Sequence, residues 1–452
     1  MITFVSILSI AVLLLIFVKF EFGVSFYLLY FFLVPIYALV IETFSMGRNL
    51  FFLILLLALF VWTGNKWGAN KASAKLMMPF FLVFFTQTLL IPFHFSEMPL
   101  VDQLNALRLD LTSLILPFVI VSLVLIKTES QKMVVNVLYI AIAVSSLYTF
   151  FLLTRIGQNP YIDSLSQWVS SNNDFGQDTI LEEGIRQFGY ISSVYTYVTE
   201  YGVFLIFSSV FLLYQMERDK SFVPKVLYGM ILVCVIVCGS RSVLLAEVIV
   251  VLVFLLQQRR FNMFFSFAIM LFVAWLLIQR FMPSFVALLE SIGNENARGS
   301  SINMRIEQLE GCIDSIKDNP IMGHGYGWTG WYRSTIGRHP IMLSFESCLI
   351  QILCNNGIMG IVIWTGFVVT LLRNVKKFFP KSKNMQKSVV LLLVGYFSYT
   401  FFTGDYGTFR VMIVFFALLV VNELKHQKKI NSKIDCKNVI NIDDSHIKRK
   451  FL

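Results

Sequence analysis

The chain has 452 residues and is 57% hydrophobic, 15% aromatic and only 14% charged, with a mean hydropathy of +0.72. That composition excludes a soluble globular protein and points to one held together by packing inside a bilayer. The net charge of +10 reflects where the basic residues fall along a membrane chain, not a nucleic-acid partner.

In chain order, the first apolar run, Met1 to Val18, has no basic segment before it and no small-residue cleavage site. It reads as a retained span rather than a signal peptide. Further runs fall near 24–41, 49–63, 76–91, 112–126, 133–153, 190–214, 226–238, 242–256, 261–281, 346–372, 388–402 and 409–422. Because a backbone in lipid must satisfy itself internally, these runs predict helices. The expected fold is all-α: a polytopic membrane bundle of about 12–13 spans with a large external loop that contains an amphipathic helix.

Charge sets the expected sides. Residues 373–387 carry six basic and no acidic residues, and the tail from Glu423 carries eight basic and four acidic. Both belong in the cytoplasm, whereas loop 282–344, with five basic and six acidic residues, belongs outside. The stretch 226–256 is flanked by basic residues at both ends and is too long for one crossing, so it must double back at Gly239-Ser240-Arg241. The same parity puts the acidic loop 154–189 outside. Counting back gives Met1 outside with 13 spans, and a cytoplasmic start would need 12. The chain thus divides into N-terminal spans (1–225), a central region with the second external loop (226–372), and the last spans with a basic tail (373–452). No internal repeat or second soluble domain is visible.

The six cysteines form no disulfide framework: Cys234, Cys238, Cys348 and Cys354 lie in apolar runs, and Cys312 and Cys436 are solitary. Loop 282–344 is where chemistry is expected. Ile302, Ile306, Leu309, Ile313 and Ile316 recur at helical spacing up to Asn319-Pro320, with Arg305 in the first turn. Gly323-His324-Gly325-Tyr326-Gly327 follows, a run whose glycines allow close backbone approach to a ligand. The loop rejoins the membrane at Arg338-His339-Pro340 and Phe345-Glu346-Ser347. No metal constellation, nucleotide motif or other cofactor site is present.

Gly239-Ser240-Arg241, Asn303-Met304-Arg305, the run from Asp318 to Gly327, His339, Glu346-Ser347 and Asn356-Gly357-Ile358-Met359-Gly360 together resemble the O-antigen polymerase and ligase superfamily. The resemblance covers about 230–370. It implies a membrane glycosyltransferase that moves a glycan from undecaprenyl diphosphate to a sugar hydroxyl at the outer face of the cytoplasmic membrane. Arg241, Arg305 and Arg186 would grip the diphosphate, since arginine stays charged and forks onto phosphate oxygens. His339 or Glu346 would serve as base, and Gly323, His324, Gly325 and Arg338 would touch substrate. Partners are the lipid-linked oligosaccharide and membrane lipid, with a chain-length regulator and a flippase alongside.

Each residue also has a plain structural reading. Arg241 can snorkel, Arg305 can be a solvated helix residue, and Arg186 an interfacial anchor. Arg333 and Arg338 can meet headgroups, His324 and His339 can sit at the interface, and Glu200 and Glu247 can pair with a nearby Arg or Ser. Glu346-Ser347 stands where ligase-like members carry a His-Asn run, which favours a polymerase over a ligase that moves finished polymer onto lipid A-core. A flippase is the rival from another class. It would show paired repeats and broken helices around a midplane site.

Overall fold

The computed structural model describes residues 71–94, 97–111, 131–154, 159–163, 191–195, 197–219, 221–259, 302–342, 344–405 and 407–427, with Ser25, Leu28, Leu29, Phe31, Phe32, Leu33 and Ser122. The expected runs at 2–18, 49–63 and 261–281 lie outside these residues, as do Cys436, Arg186 and most of loop 154–189.

No strand occurs among the described residues. The helices are α1 (Lys71–Leu90), α2 (Leu100–Asp110), α3 (Gln131–Leu153), α4 (Val198–Arg218), α5 (Phe222–Val237), α6 (Arg241–Gln257), α7 (Ile302–Ile316), α8 (Trp328–Thr335), α9 (Cys348–Phe378), α10 (Lys383–Thr403) and α11, residues 408–427. Five of them, α1, α3, α4, α9 and α10, are long and apolar enough to cross a membrane. The protein is a polytopic membrane helix bundle. The turn expected at Gly239-Ser240-Arg241 separates α5 from α6, and Gly239 there adopts φ +71°.

Small residues set how closely the helices approach, as expected where lipid supplies no hydrophobic drive between them. A Cβ on Gly202 of α4 would lie 2.1 Å from Val243 Cγ2 of α6, and one on Gly395 of α10 would lie 2.9 Å from Ile206 Cγ2 of α4. Around these contacts a Phe-rich core forms. Phe80 meets Phe367, Phe409 and Phe416, and Phe415 meets Phe32, Phe204 and Phe207, at centroid separations between 5.2 and 6.4 Å. Thr86, Thr88, Thr149 and Thr400 return their hydroxyls to carbonyls one turn back, which pairs these hydroxyls inside the apolar interior.

The two ends of the bundle differ in chemistry. At one end Arg218 pairs with Glu423 at 2.8 Å, Tyr214 donates to the same carboxylate at 2.7 Å, and Asn374 Nδ2 donates to Lys75 O at 2.9 Å. This basic end collects the α1, α4, α6, α9, α10 and α11 termini that carry Lys and Arg. At the other end α2, α7, α8 and the connections between them form a cap.

One finding about the cap departs from the sequence reading: helix α2 was not foreseen, and it lies on the cap rather than across the membrane. The apolar stripe of α7 faces outward, with Ile306 51%, Leu309 56% and Ile313 60% exposed. The inward face of α7 carries Gln308, Gly311, Cys312 and Ser315 instead, and Gly311 admits Met342 so closely that a Cβ would sit 2.9 Å from its Cγ. A polar face turned to protein with an apolar stripe turned away suits a helix lying at a membrane surface.

Candidate active site at the cap end

The cap is fastened to a break in a membrane helix. Gly357, inside α9, has φ +60° and ψ −151°, a conformation that only glycine tolerates well. The break orphans backbone groups on both of its sides, and these must be paired in a low-dielectric setting. The glycine-rich run supplies the partners. His324 N donates to Cys354 O at 2.9 Å and Gly325 N to Asn355 O at 2.8 Å, while Ile358 N donates to Pro320 O and Met359 N to Ile321 O, each at 3.0 Å. Asn319 closes the turn, its carbonyl accepting from Gly323 N and its Nδ2 donating to Gly323 O, both at 2.8 Å.

Gly323 and Gly325 bring backbone close to α9 and α2, and the amides of Gly323, His324 and Gly325 all bond inside the protein. A Cβ on Gly323 (φ +70°) would meet Gly357 N at 2.6 Å, and one on Gly325 would meet the Gln103 side chain at 2.7 Å. The two sequence motifs, 318–327 and 356–360, are therefore two halves of one splint.

Both loop histidines are structural clasps on Ser315 of α7. His324 Nε2 donates to Ser315 O at 2.5 Å, and its ring stacks on Trp328 at 4.3 Å. His339 is 7% exposed. Its Nδ1 accepts from Ile341 N at 3.2 Å and Met342 N at 3.4 Å, so the proton sits on Nε2, 3.1 Å from Ser315 Oγ. Ser315 Oγ in turn donates to Gly311 O at 2.7 Å. Burial lowers the pKa of His339, against an opposing pull from Asp314. With both nitrogens committed, His339 has no lone pair to offer a substrate hydroxyl. Arg338 and Arg333 are exposed.

Arg305 is deeply anchored. Its Nη1 donates to Gln308 Oε1 at 2.6 Å and to Glu346 O at 2.9 Å, and its Nη2 donates to Phe402 O at 2.6 Å. One guanidinium thus ties α7 to the start of α9 and the end of α10. Burial lowers its pKa, while the Glu346 charge raises it. Gln351 extends the same seam, donating to Phe345 O and accepting from Asp405 N, each at 3.0 Å.

Arg241 opens α6 at the same end. Its Nη1 is shut off from solvent and finds no hydrogen-bond partner among the described residues. Position fixes its neighbourhood: two residues on, Val243 packs against Gly202 of α4, whose first turn carries Glu200. Glu200 interacts electrostatically with Arg410, which is 8% exposed in the first turn of α11. Asp405 precedes α11 as a cap, with Oδ1 accepting from Gly407 N and Phe409 N at 3.2 Å and Oδ2 accepting from Tyr396 OH at 2.6 Å. Arginines and carboxylates thus converge on the seam between cap and bundle, an arrangement suited to holding an anionic group at a membrane boundary.

Residues 226–365 match the family model described as O-antigen ligase. This region, about a third of the chain, is similar to the O-antigen ligase and polymerase superfamily. The matched segment holds Arg241, Arg305, Glu346 and both halves of the splint, and it stops short of α10 and α11. Members of this superfamily are membrane enzymes of glycan transfer in polysaccharide assembly. No curated protein matches the chain.

Sequence reasoning missed Arg410 and Asp405. Their signal was available: Gly404-Asp405-Tyr406-Gly407 is a turn with a capping Asp, and an Arg three residues later in an otherwise apolar span is costly enough to need a reason. It also treated Cys312 as solitary, whereas its Sγ lies 3.8 Å from Cys354 Sγ, within a buried cluster with Trp328, Met342 and Phe345. The five described cysteines are all free and buried.

Proposed function

We propose that the protein polymerises lipid-linked oligosaccharide repeat units at the outer face of the cytoplasmic membrane, moving the growing glycan from undecaprenyl diphosphate to a sugar hydroxyl of the next unit. The observation that carries this reading is Arg241: a buried guanidinium donor without a partner, at a helix N-terminus, in the same seam as the anchored Arg305. A departing diphosphate needs fixed cations that require no rearrangement as charge develops, and a helix N-terminus adds to the field. Arg241 and Arg305 hold the diphosphate, and Glu346 keeps Arg305 in place. Arg186, which lies outside the described residues, is proposed as a further diphosphate contact from the sequence. Exposed Arg338 is proposed to meet the glycan.

With the cap outside, the lipid donor, the water-soluble glycan and the charged leaving group all meet at this seam, and the basic end faces the cytoplasm. A chain-length regulator and a flippase are the partners such a polymerase needs. The ligase reading is the second one, favoured by the description of the matching family model. A strain lacking the protein separates the two. Surface glycolipid carrying a single repeat unit, with no polymer on undecaprenyl diphosphate, supports the polymerase, whereas long polymer stranded on undecaprenyl diphosphate supports the ligase.

A further inference from the structure

We infer that Glu200, in the first turn of α4, is the group that takes the proton from the acceptor hydroxyl. This rests on the glycan transfer proposed above. Among the buried polar atoms that lack a hydrogen-bond partner, two of opposite kind lie at the seam on charged side chains of α4 and α6: Arg241 Nη1, a donor, and Glu200 Oε2, an acceptor. Buried polar groups are nearly always paired, so each such exception calls for an explanation. Transfer of a glycan from a diphosphate requires one donor for the anion that leaves and one acceptor for the proton that is shed.

Three other carboxylates are occupied or displaced. Asp405 uses both oxygens as a helix cap and a tyrosine partner. Asp110 accepts from Tyr326 OH at 2.7 Å. Glu247 accepts from Ser209 at 2.5 Å, and six residues into α6 it lies about 9 Å below Arg241 along the helix axis. His339 has no free nitrogen. Glu200 is held in place by the backbone N–H of Tyr197 and by the Arg410 charge, which leaves Oε2 to act.

Its position also fits. Tyr399 OH of α10 donates to Thr199 O at 2.7 Å, and Phe402 O, three residues on, receives Arg305. The last turns of α10 therefore touch both the first turn of α4, where Glu200 sits, and the Arg305 guanidinium. In the step, the acceptor oxygen bonds to the anomeric carbon and the bond from that carbon to the diphosphate oxygen breaks. The electron pair leaves with undecaprenyl diphosphate, and the hydroxyl proton passes to Glu200 Oε2.

The test uses full-length protein in nanodiscs with a lipid-linked repeat unit, reading turnover, donor binding by native mass spectrometry, and melting temperature. Glu200→Gln is expected to lose at least about 100-fold in turnover, the lower range for loss of a general base, while binding donor and melting as the wild type does. Glu200→Asp should recover part of the rate, and Glu307→Gln, exposed on α7, should match wild type. Turnover of Glu200→Gln within threefold of wild type overturns the inference, as does a loss that tracks lost donor binding or a lowered melt. Should wild-type protein transfer glycan only to lipid A-core, the polymerase reading falls, and Glu200 is scored on that transfer by the same criteria.

Discussion

Replacing Gly357 by Ala tests whether the glycine-rich loop is a splint for α9. At φ +60° and ψ −151° an alanine carries a backbone penalty of about 1–3 kcal/mol. Its Cβ would lie 2.5 Å from Ile321 O and 2.6 Å from Pro320 O, so the loop must retreat. Retreat breaks the four backbone hydrogen bonds across the kink, worth about 0.5–1.5 kcal/mol each in net terms, or roughly 2–6 kcal/mol together. The total expected loss is several kcal/mol, a large share of what holds a typical domain folded. Gly323→Ala strikes the same joint from the other side, with Gly357 N at 2.6 Å from the new Cβ. The assay is thermal unfolding in detergent followed by tryptophan fluorescence, with limited proteolysis of residues 318–327. Both variants should melt well below wild type and be cut in the loop. Gly366→Ala, on the same helix with nothing within 4 Å of its Cβ, should be neutral or gain up to about 1 kcal/mol. A Gly357→Ala protein with wild-type melting and an intact loop would refute the splint.

Other expectations follow from the same geometry. Arg241→Ala should abolish polymer while leaving melting unchanged, whereas Arg305→Ala should lose polymer and also lower the melt, because it removes three anchoring hydrogen bonds; Lys at either position should rescue only partly, since it lacks the fork. Asp110 is pushed up to about 6 by burial, against the Tyr326 hydrogen bond that lowers it. The folded protein then holds a proton that the unfolded chain has released, so stability falls as pH rises from near 4 to near 6, by on the order of 3 kcal/mol at most. Asp110→Asn should flatten that part of the melting-temperature profile, and an unchanged slope would count against the burial argument. Reporter fusions after Trp328 and after Lys381 should report opposite sides of the membrane, exterior and cytoplasm; the same side for both would undo the placement of the cap.

The membrane fold was legible because lipid forces helices, and the period and charge of each run survive in the sequence. The α5–α6 hairpin could be placed at Gly239 by length and flanking charge alone. The residues 323–327 and 356–360 were legible as important but not as partners, since nothing local shows that one run repairs a break in the other. Gly357 in the middle of an apolar helix was the available hint. For α7, periodicity reveals that a helix is two-faced, not which face meets protein. The histidines drew attention by their chemistry, yet their hydrogen bonds to Ser315 depend on a residue whose closeness only the fold reveals. Glu200 lies far in sequence from Asp405 and Arg410, and only packing of α4 beside α10 and α11 brings them to one seam.

The most direct measurement of the central claim is a reconstitution with purified protein and a single substrate, the undecaprenyl-diphosphate-linked repeat unit, with no lipid A-core present. The account predicts a ladder of longer lipid-linked glycans and one free undecaprenyl diphosphate released for each new linkage, both absent with Arg241→Ala. No ladder from repeat units alone, with glycan appearing on lipid A-core once that acceptor is added, would contradict it.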